Sequence, residues 1–305
     1  MITANVRFHN TSTNGNVTFN GPFSGSFDIL KTGDGTILFG ASATPLTSGD
    51  VTHANTTLRA GSIRYIRSNV AGDTFGTGTI LFDSAAATYA AAGNLIIGQN
   101  AGTTSGTFVS PVSVTGRGNL QSSRGDGINW GSPIALAGYL RFFAGGGGGT
   151  PAYNVAGTIT VDQASAGDRE INFQLGSNGS SWFTGVIAGG AGMADNPLTI
   201  TTAGTTNTAR QLEWRGTVAS SFTSGIIVAP GLTEIIVTAT PSVGNFGTND
   251  VFVLADSPVD ALPELEFRHN LAMADTATLS IEFGATVSLN YASADPGNPD
   301  SSDMQ

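Results

Sequence analysis

Glu264, Glu266 and Arg268 alternate along one short stretch, with His269 next in sequence and Asp256 and Asp260 nearby. In an extended chain, side chains two residues apart leave the same face. Two carboxylates so placed can serve as general acid and base, and an arginine beside them can hold a substrate, which is the chemistry of a lyase or hydrolase acting on acidic or neutral sugars. The competing reading is a solvated strand face whose charges compensate one another. The other basic residues are scattered rather than gathered here, so no catalytic residue is assigned, and Glu264, Glu266 and Arg268 stand as the alternative set.

Other residues invite sharper readings. Arg124-Gly125-Asp126 is a tripeptide that integrins recognise on a displayed loop, and Ser122-Ser123 before it and Gly127 after it suit a turn. In a chain with 42 glycines a three-residue match carries little weight. The Gly-Asp-Gly turns at 33–35 and 125–127 suggest calcium, yet aspartate and glycine are also ordinary turn residues, and neither turn fits the nonapeptide calcium repeat. His9, His53 and His269 lack metal-ligand spacing, and the absence of cysteine removes disulfides, thiolate metal sites and cysteine nucleophiles together. The reading expects no metal and no cofactor. Asn10, Asn16, Asn55 and Asn178 satisfy the N-glycosylation sequon, as composition alone would produce. Trp130, Trp182 and Trp214 would stack on sugar rings if exposed, although a large aromatic more often packs inside.

The elements that must position these residues are strands. No window places apolar residues at helical spacing with caps on both sides. Phe27–Gly40, FDILKTGDGTILFG, sets two apolar strands around a Thr-Gly-Asp-Gly turn, and its second half returns as Gly76–Phe82, so GxGTILF occurs twice, 43 positions apart. Between the copies lies TTLRAGSIRY, whose Leu58 falls 21 positions after Ile37 and 22 before Ile80. Such a ladder suits a solenoid, in which one coil cannot bury its own apolar face and stacks on near copies of itself. The spacing predicts that Ile80 and Phe82 stack above Ile37 and Phe39, with Ile63 and Tyr65 on a neighbouring face. Glycines 33, 35, 76 and 78 are expected to take positive φ at corners. Further on, Leu95, Leu120 and Leu140 continue the period, then Ile159 and Val161. Later strands are expected at 171–175, 198–202, 211–214, 226–229, 234–239, 251–255, 264–267, 278–283 and 286–291.

The runs LKTGDGTILFGA, TTLRAGSIRY and FGTGTILFD resemble the autotransporter-associated β-strand repeat of bacterial surface proteins, over residues 27–97. That resemblance implies an all-β, right-handed parallel β-helix at the cell surface, and it supplies no catalytic site. A complete autotransporter would end in a membrane β-barrel, whereas this chain ends in an acidic tail, so the resemblance extends to the passenger-type repeat alone.

Composition narrows the partners. A net charge of −10 with only 11% charged residues argues against nucleic acid, since phosphate contacts need clustered Lys and Arg. No apolar run reaches the length of a membrane-spanning helix. Met1–Arg7 has neither a basic nor an apolar leader region, so the expectation is a mature or excised fragment of an exported protein. Residues 1–26 are expected to cap or pair the solenoid, 27–293 to form it in roughly a dozen coils, and 294–305 to be a linker. Gly145–Gly149 is expected to leave the stack as a loop. The functional expectation is an extracellular or cell-surface structural rod, such as a stalk, an adhesin segment or a self-assembling filament subunit. Its partners would be further copies of itself, surface glycans or host cells. The alternative is a polysaccharide-binding or polysaccharide-degrading β-helix protein.

Overall fold

A computed structural model describes residues 4–13, 15–41, 44–47, 49–67, 74–99, 106–122, 128–144, 153–162, 167–174, 181–189, 197–203, 211–216, 218–222, 224–229, 234–237, 246, 249–255, 264–268 and 277–289. Short strands build three parallel sheets of eight, eleven and eight strands, in which each strand pairs with its counterpart one coil earlier and one coil later. The chain is therefore a β-solenoid. The second sheet runs the whole length, from Asn16–Phe19 to Leu279–Ile281. The first sheet accompanies its early rungs from Val6–His9 to Val186–Gly189, and the third its later rungs from Thr107–Phe108 to Thr286–Leu289. At ~4.8 Å per rung the eleven strands span on the order of 50 Å. Among the described residues the only helical turn is a 3-10 turn at Tyr89–Ala91.

Alternation dictates the interior. Ile37 and Phe39 are buried while Thr36 and Leu38 face outward, as a period of two requires. The register then joins inward residues into columns. One column of the second sheet is Val17, Ile37, Ile63, Leu95, Leu120, Phe142 and Phe173. In the first sheet Ile29, Thr56, Ile80, Val112, Ile134, Ile159 and Ile187 align. Each layer hides the apolar face of the next, which is the source of stability in a solenoid.

These columns correct the stacking expected from the repeat. Ile63 and Tyr65 lie directly on Ile37 and Phe39, whereas Ile80 and Phe82 belong to the first sheet and pair with Thr56 and Leu58. Leu58 likewise pairs with Lys31 and not above Ile37. Coils here are longer than the inferred 21 or 22 residues: Ile37 to Ile63 is 26 and Ile63 to Leu95 is 32. The interval of 43 falls short of two coils and lands on a different face. Leu95 does align with Leu120, but Leu140 pairs with Gly118, and Ile159 continues the first sheet.

What the two GxGTILF copies share is a corner. Gly33 and Gly76 hold φ of 73° and 80°, a region that favours glycine. Gly35 and Gly78 need no positive φ; instead a Cβ on either would meet an asparagine from the coil before, the Asn10 amide at 2.4 Å or the Asn55 Oδ1 at 2.4 Å. The lone lysine closes the first of these corners. Lys31 is fully buried, and its Nζ donates to the carbonyls of Thr32 at 3.0 Å, Gly33 at 2.5 Å and Ala60 at 3.3 Å. Burial pulls the ammonium down to about 8 from its ordinary value, against the raising effect of Asp34.

Candidate functional site

The third sheet carries Glu264 and Glu266, with Arg268 directly after it. Glu264–Phe267 is a strand, with Glu264 opposite Thr286 and Glu266 between Ile236 and Ser288. The Glu266 side chain is only 7% exposed, and Arg268 forks onto it, Nε to Oε1 at 2.6 Å and Nη2 to Oε2 at 3.4 Å. Both carboxylate oxygens that would meet a substrate are thus engaged by the guanidinium. The same arrangement stands two rungs earlier, where Glu213 pairs with Arg215 and the guanidinium lies 4.2 Å over the Trp182 ring. Asn154, Asn129 and Thr107 precede it as a side-chain ladder, Nδ2 of Asn154 donating to Asn129 at 3.1 Å and Nδ2 of Asn129 to Thr107 at 3.0 Å. The geometry on this face is that of charge pairs and amide ladders tying rung to rung.

A denser constellation lies on the outer face of the second sheet, where sequence reasoning placed nothing. The chain from Asp83 to Ala92 leaves the stack and is fastened against this face. Arg117 Nε donates to the Ala86 carbonyl at 3.2 Å, and Asn119 Nδ2 to the Tyr89 carbonyl at 2.9 Å. Tyr89 is thereby wedged between two arginines, with Arg117 Cζ at 4.7 Å and Arg141 Cζ at 4.9 Å from its ring centre. Arg117 also lies 4.1 Å over Tyr139, and Arg141 5.5 Å over Phe143. Such cation–π contacts hold guanidiniums flat and pre-oriented. Arg141 Nε donates to Asn119 Oδ1 at 2.7 Å, while Glu170 accepts from the Thr201 hydroxyl at 2.8 Å.

The electrostatics of this face are perturbed. Burial and then the Glu170 charge push the Tyr89 phenol above its usual range, against Arg117 and Arg141; burial pulls the Arg141 guanidinium down, opposed by Tyr89 and Glu170. Perturbed groups of this kind concentrate at functional sites. A sequence signal existed: Arg117, Asn119 and Gln121, then Tyr139, Arg141 and Phe143, then Glu170, Asn172 and Gln174 are polar or aromatic at alternate positions of successive rungs.

Other sequence candidates are absorbed by the fold. Trp130 and Trp214 are core residues, and only Trp182 is part-exposed. The Asn10 amide donates to Gly15 and Thr36, and the Asn55 side chain joins Asp28 to Thr79, so these sequon positions bind neighbouring coils. Among the described residues no three His, Cys, Asp or Glu gather as a metal site. His9 accepts or donates at Thr32 on the surface, while His53 is buried. Residues 124–126, 145–149, Asn178, Asp256, Asp260, His269 and the 294–305 tail lie outside the described residues.

Fold and surface together define a parallel β-solenoid with inward apolar columns and ladder-tied outer faces. No family model matches the chain, and neither curated proteins nor solved structures give a match. Among the described residues no helix is long and apolar enough to cross a membrane.

Proposed function

We propose that this protein is an extracellular or cell-surface structural rod whose copies join end to end through strand edges. The observation that carries the reading is where its apolar surface lies. Val17, on the first rung, is 46% exposed, and Ile281 and Phe283, at the last, are 50% and 100% exposed; away from the ends Val218 at 56% and Phe252 at 39% are exposed as well. The apolar residues that only partly enter the core, Val6, Phe8, Phe19, Leu279, Ala285 and Val287, all belong to these same two ends. Among the described residues, inner columns thus arrive at both ends still apolar, beside backbone edges with no further strand, which invite another one. The second sheet reaches both ends, so Asn16–Phe19 of one copy meets Leu279–Ile281 of the next in a head-to-tail contact that does not close on itself.

Electron microscopy of the purified chain over a concentration series tests this. Filaments whose length grows with concentration, and which Val17→Asp or Ile281→Asp cuts back to short rods, are expected. Short monomeric rods at every concentration would overturn the proposal.

A further inference from the structure

The outer face of the second sheet offers more than rung-to-rung ties. Arg117 and Arg141 stand on adjacent rungs, offset along the strand, and each spends its Nε on the protein, on Ala86 and Asn119 respectively. Among the described residues their terminal nitrogens have no hydrogen-bond partner, so two forks of donors remain, held flat by Tyr89 and Tyr139. One rung further, Asn172 donates to the Thr201 hydroxyl at 2.6 Å, yet its buried Oδ1 meets no partner among the described residues. That oxygen lies beneath the surface, so the groups this face presents are the two guanidinium forks and, on the strand of Asn172, the Glu170 carboxylate.

We propose that this face binds an anionic polysaccharide, its chain lying along the solenoid axis with acidic groups on Arg117 and Arg141 and a hydroxyl on Glu170. The chemistry of each group selects that class. Guanidinium forks match carboxylate or sulfate oxygens in pairs. The Glu170 carboxylate, which already accepts from the Thr201 hydroxyl, can accept again from a chain that carries hydroxyls at every residue. Two arginines against one glutamate make a locally positive spot on a chain of net charge −10, so affinity must come from local fit and not from overall attraction. Rungs recurring every ~4.8 Å give an extended polymer successive points of contact. The segment 83–92 is fastened to Arg117 and Asn119 beside the two forks.

Binding of the full chain to polygalacturonate, to its methyl ester and to dextran sulfate, measured by affinity gel electrophoresis at low salt, tests the proposal. Retardation by one or both anionic polymers and not by the ester is expected, and which polymer binds identifies the acidic group as carboxylate or sulfate. Arg117→Gln and Arg141→Gln should each weaken binding about tenfold, with Arg141→Lys intermediate because it keeps the charge and loses the fork. Unchanged melting temperatures would separate lost contact from lost fold, and the ester comparison uses the unaltered chain. Retardation by neither anionic polymer, or equal retardation by the ester, would overturn the proposal. The monomeric rod suffices for this measurement, so its outcome is independent of filament formation.

Discussion

The two ends of the stack solve one packing problem by different means. A coil with three regular faces needs three strands, and among the described residues the early rungs show no strand of the third sheet while the late rungs show none of the first. At the early end aromatic rings fill the gap. Phe23, Phe27, His53 and Phe75 lie along that side, with Phe27 5.1 Å from Phe23 and His53 4.8 Å from Phe75, and all of them back onto Phe39 or its neighbours. At the late end Phe222 and Phe246 take the corresponding place, and Phe246 meets Trp214 at 4.9 Å and Phe267 at 6.0 Å. Polar side chains there do the work of a ladder: Ser220 Oγ donates to Ile187 O at 2.7 Å, and Asn249 accepts from Gly225 and donates to Phe246. Two faces with an aromatic wedge thus suffice where a strand is missing, provided each freed backbone group finds a side chain.

The largest expected effect comes from removing the ring against which the early wedge packs. Phe39 is fully buried and ringed by Phe8, Phe19, Phe23 and Phe75, so Phe39→Ala should cost about 3–5 kcal/mol in urea unfolding. Phe252→Ala, on the outer surface of the late rungs, should cost under about 1 kcal/mol. Equal costs would show that the early aromatic cluster is not what closes that end.

The next effect is at the corner held by Lys31. Gly61 has φ of 66°, and a Cβ there would meet the Gly33 carbonyl at 2.2 Å and Lys31 Nζ at 2.6 Å. Gly61→Ala should therefore cost about 2–3 kcal/mol by the same assay.

His53 gives the early end a pH response of its own. Burial pulls its imidazole down to about 4 from its ordinary value near 6.5, with Asp28 opposing. The unfolded chain takes up a proton below 6.5 and the folded one does not until about 4, so this contribution is fully present above 6.5 and is lost as the pH falls through that window. Between pH 7 and 4.5 the unaltered chain should lose about 2 kcal/mol more than His53→Gln. A matching loss in both would remove His53 as the cause. Smallest is Arg268→Ala, which breaks a pair in which the arginine is 39% exposed; about 1 kcal/mol is expected from thermal melts.

Strands were far more legible than their stacking. The stretches 211–214 and 264–267 coincide with strands, and 198–202 and 226–229 miss by one residue, because alternation of apolar and polar side chains is a local signal. Which strand lies on which depends on loop length, and loops here vary freely between rungs. GxGTILF therefore marked a shared corner while suggesting the wrong neighbours. The Tyr89 cluster escaped notice for a similar reason: Tyr89 reaches Arg117 and Arg141 only because residues 83–92 fold back over the sheet, a path that no periodicity announces. Glu266 and Arg268 were found in sequence because they lie two apart on one strand, and that same closeness makes them partners of each other.

Cross-linking tests the stack most directly, since the chain has no cysteine of its own. Leu38 and Arg64 face outward in register on adjacent rungs of the second sheet, while Leu81, the counterpart of Leu38 in the second GxGTILF copy, lies in the first sheet. Aligned positions on neighbouring strands fall within the reach of a disulfide. On mild oxidation, monomeric Leu38→Cys/Arg64→Cys should close an internal bridge and Leu38→Cys/Leu81→Cys should not. The opposite pattern would contradict the register on which the columns, the two ends and the outer arginine face all rest.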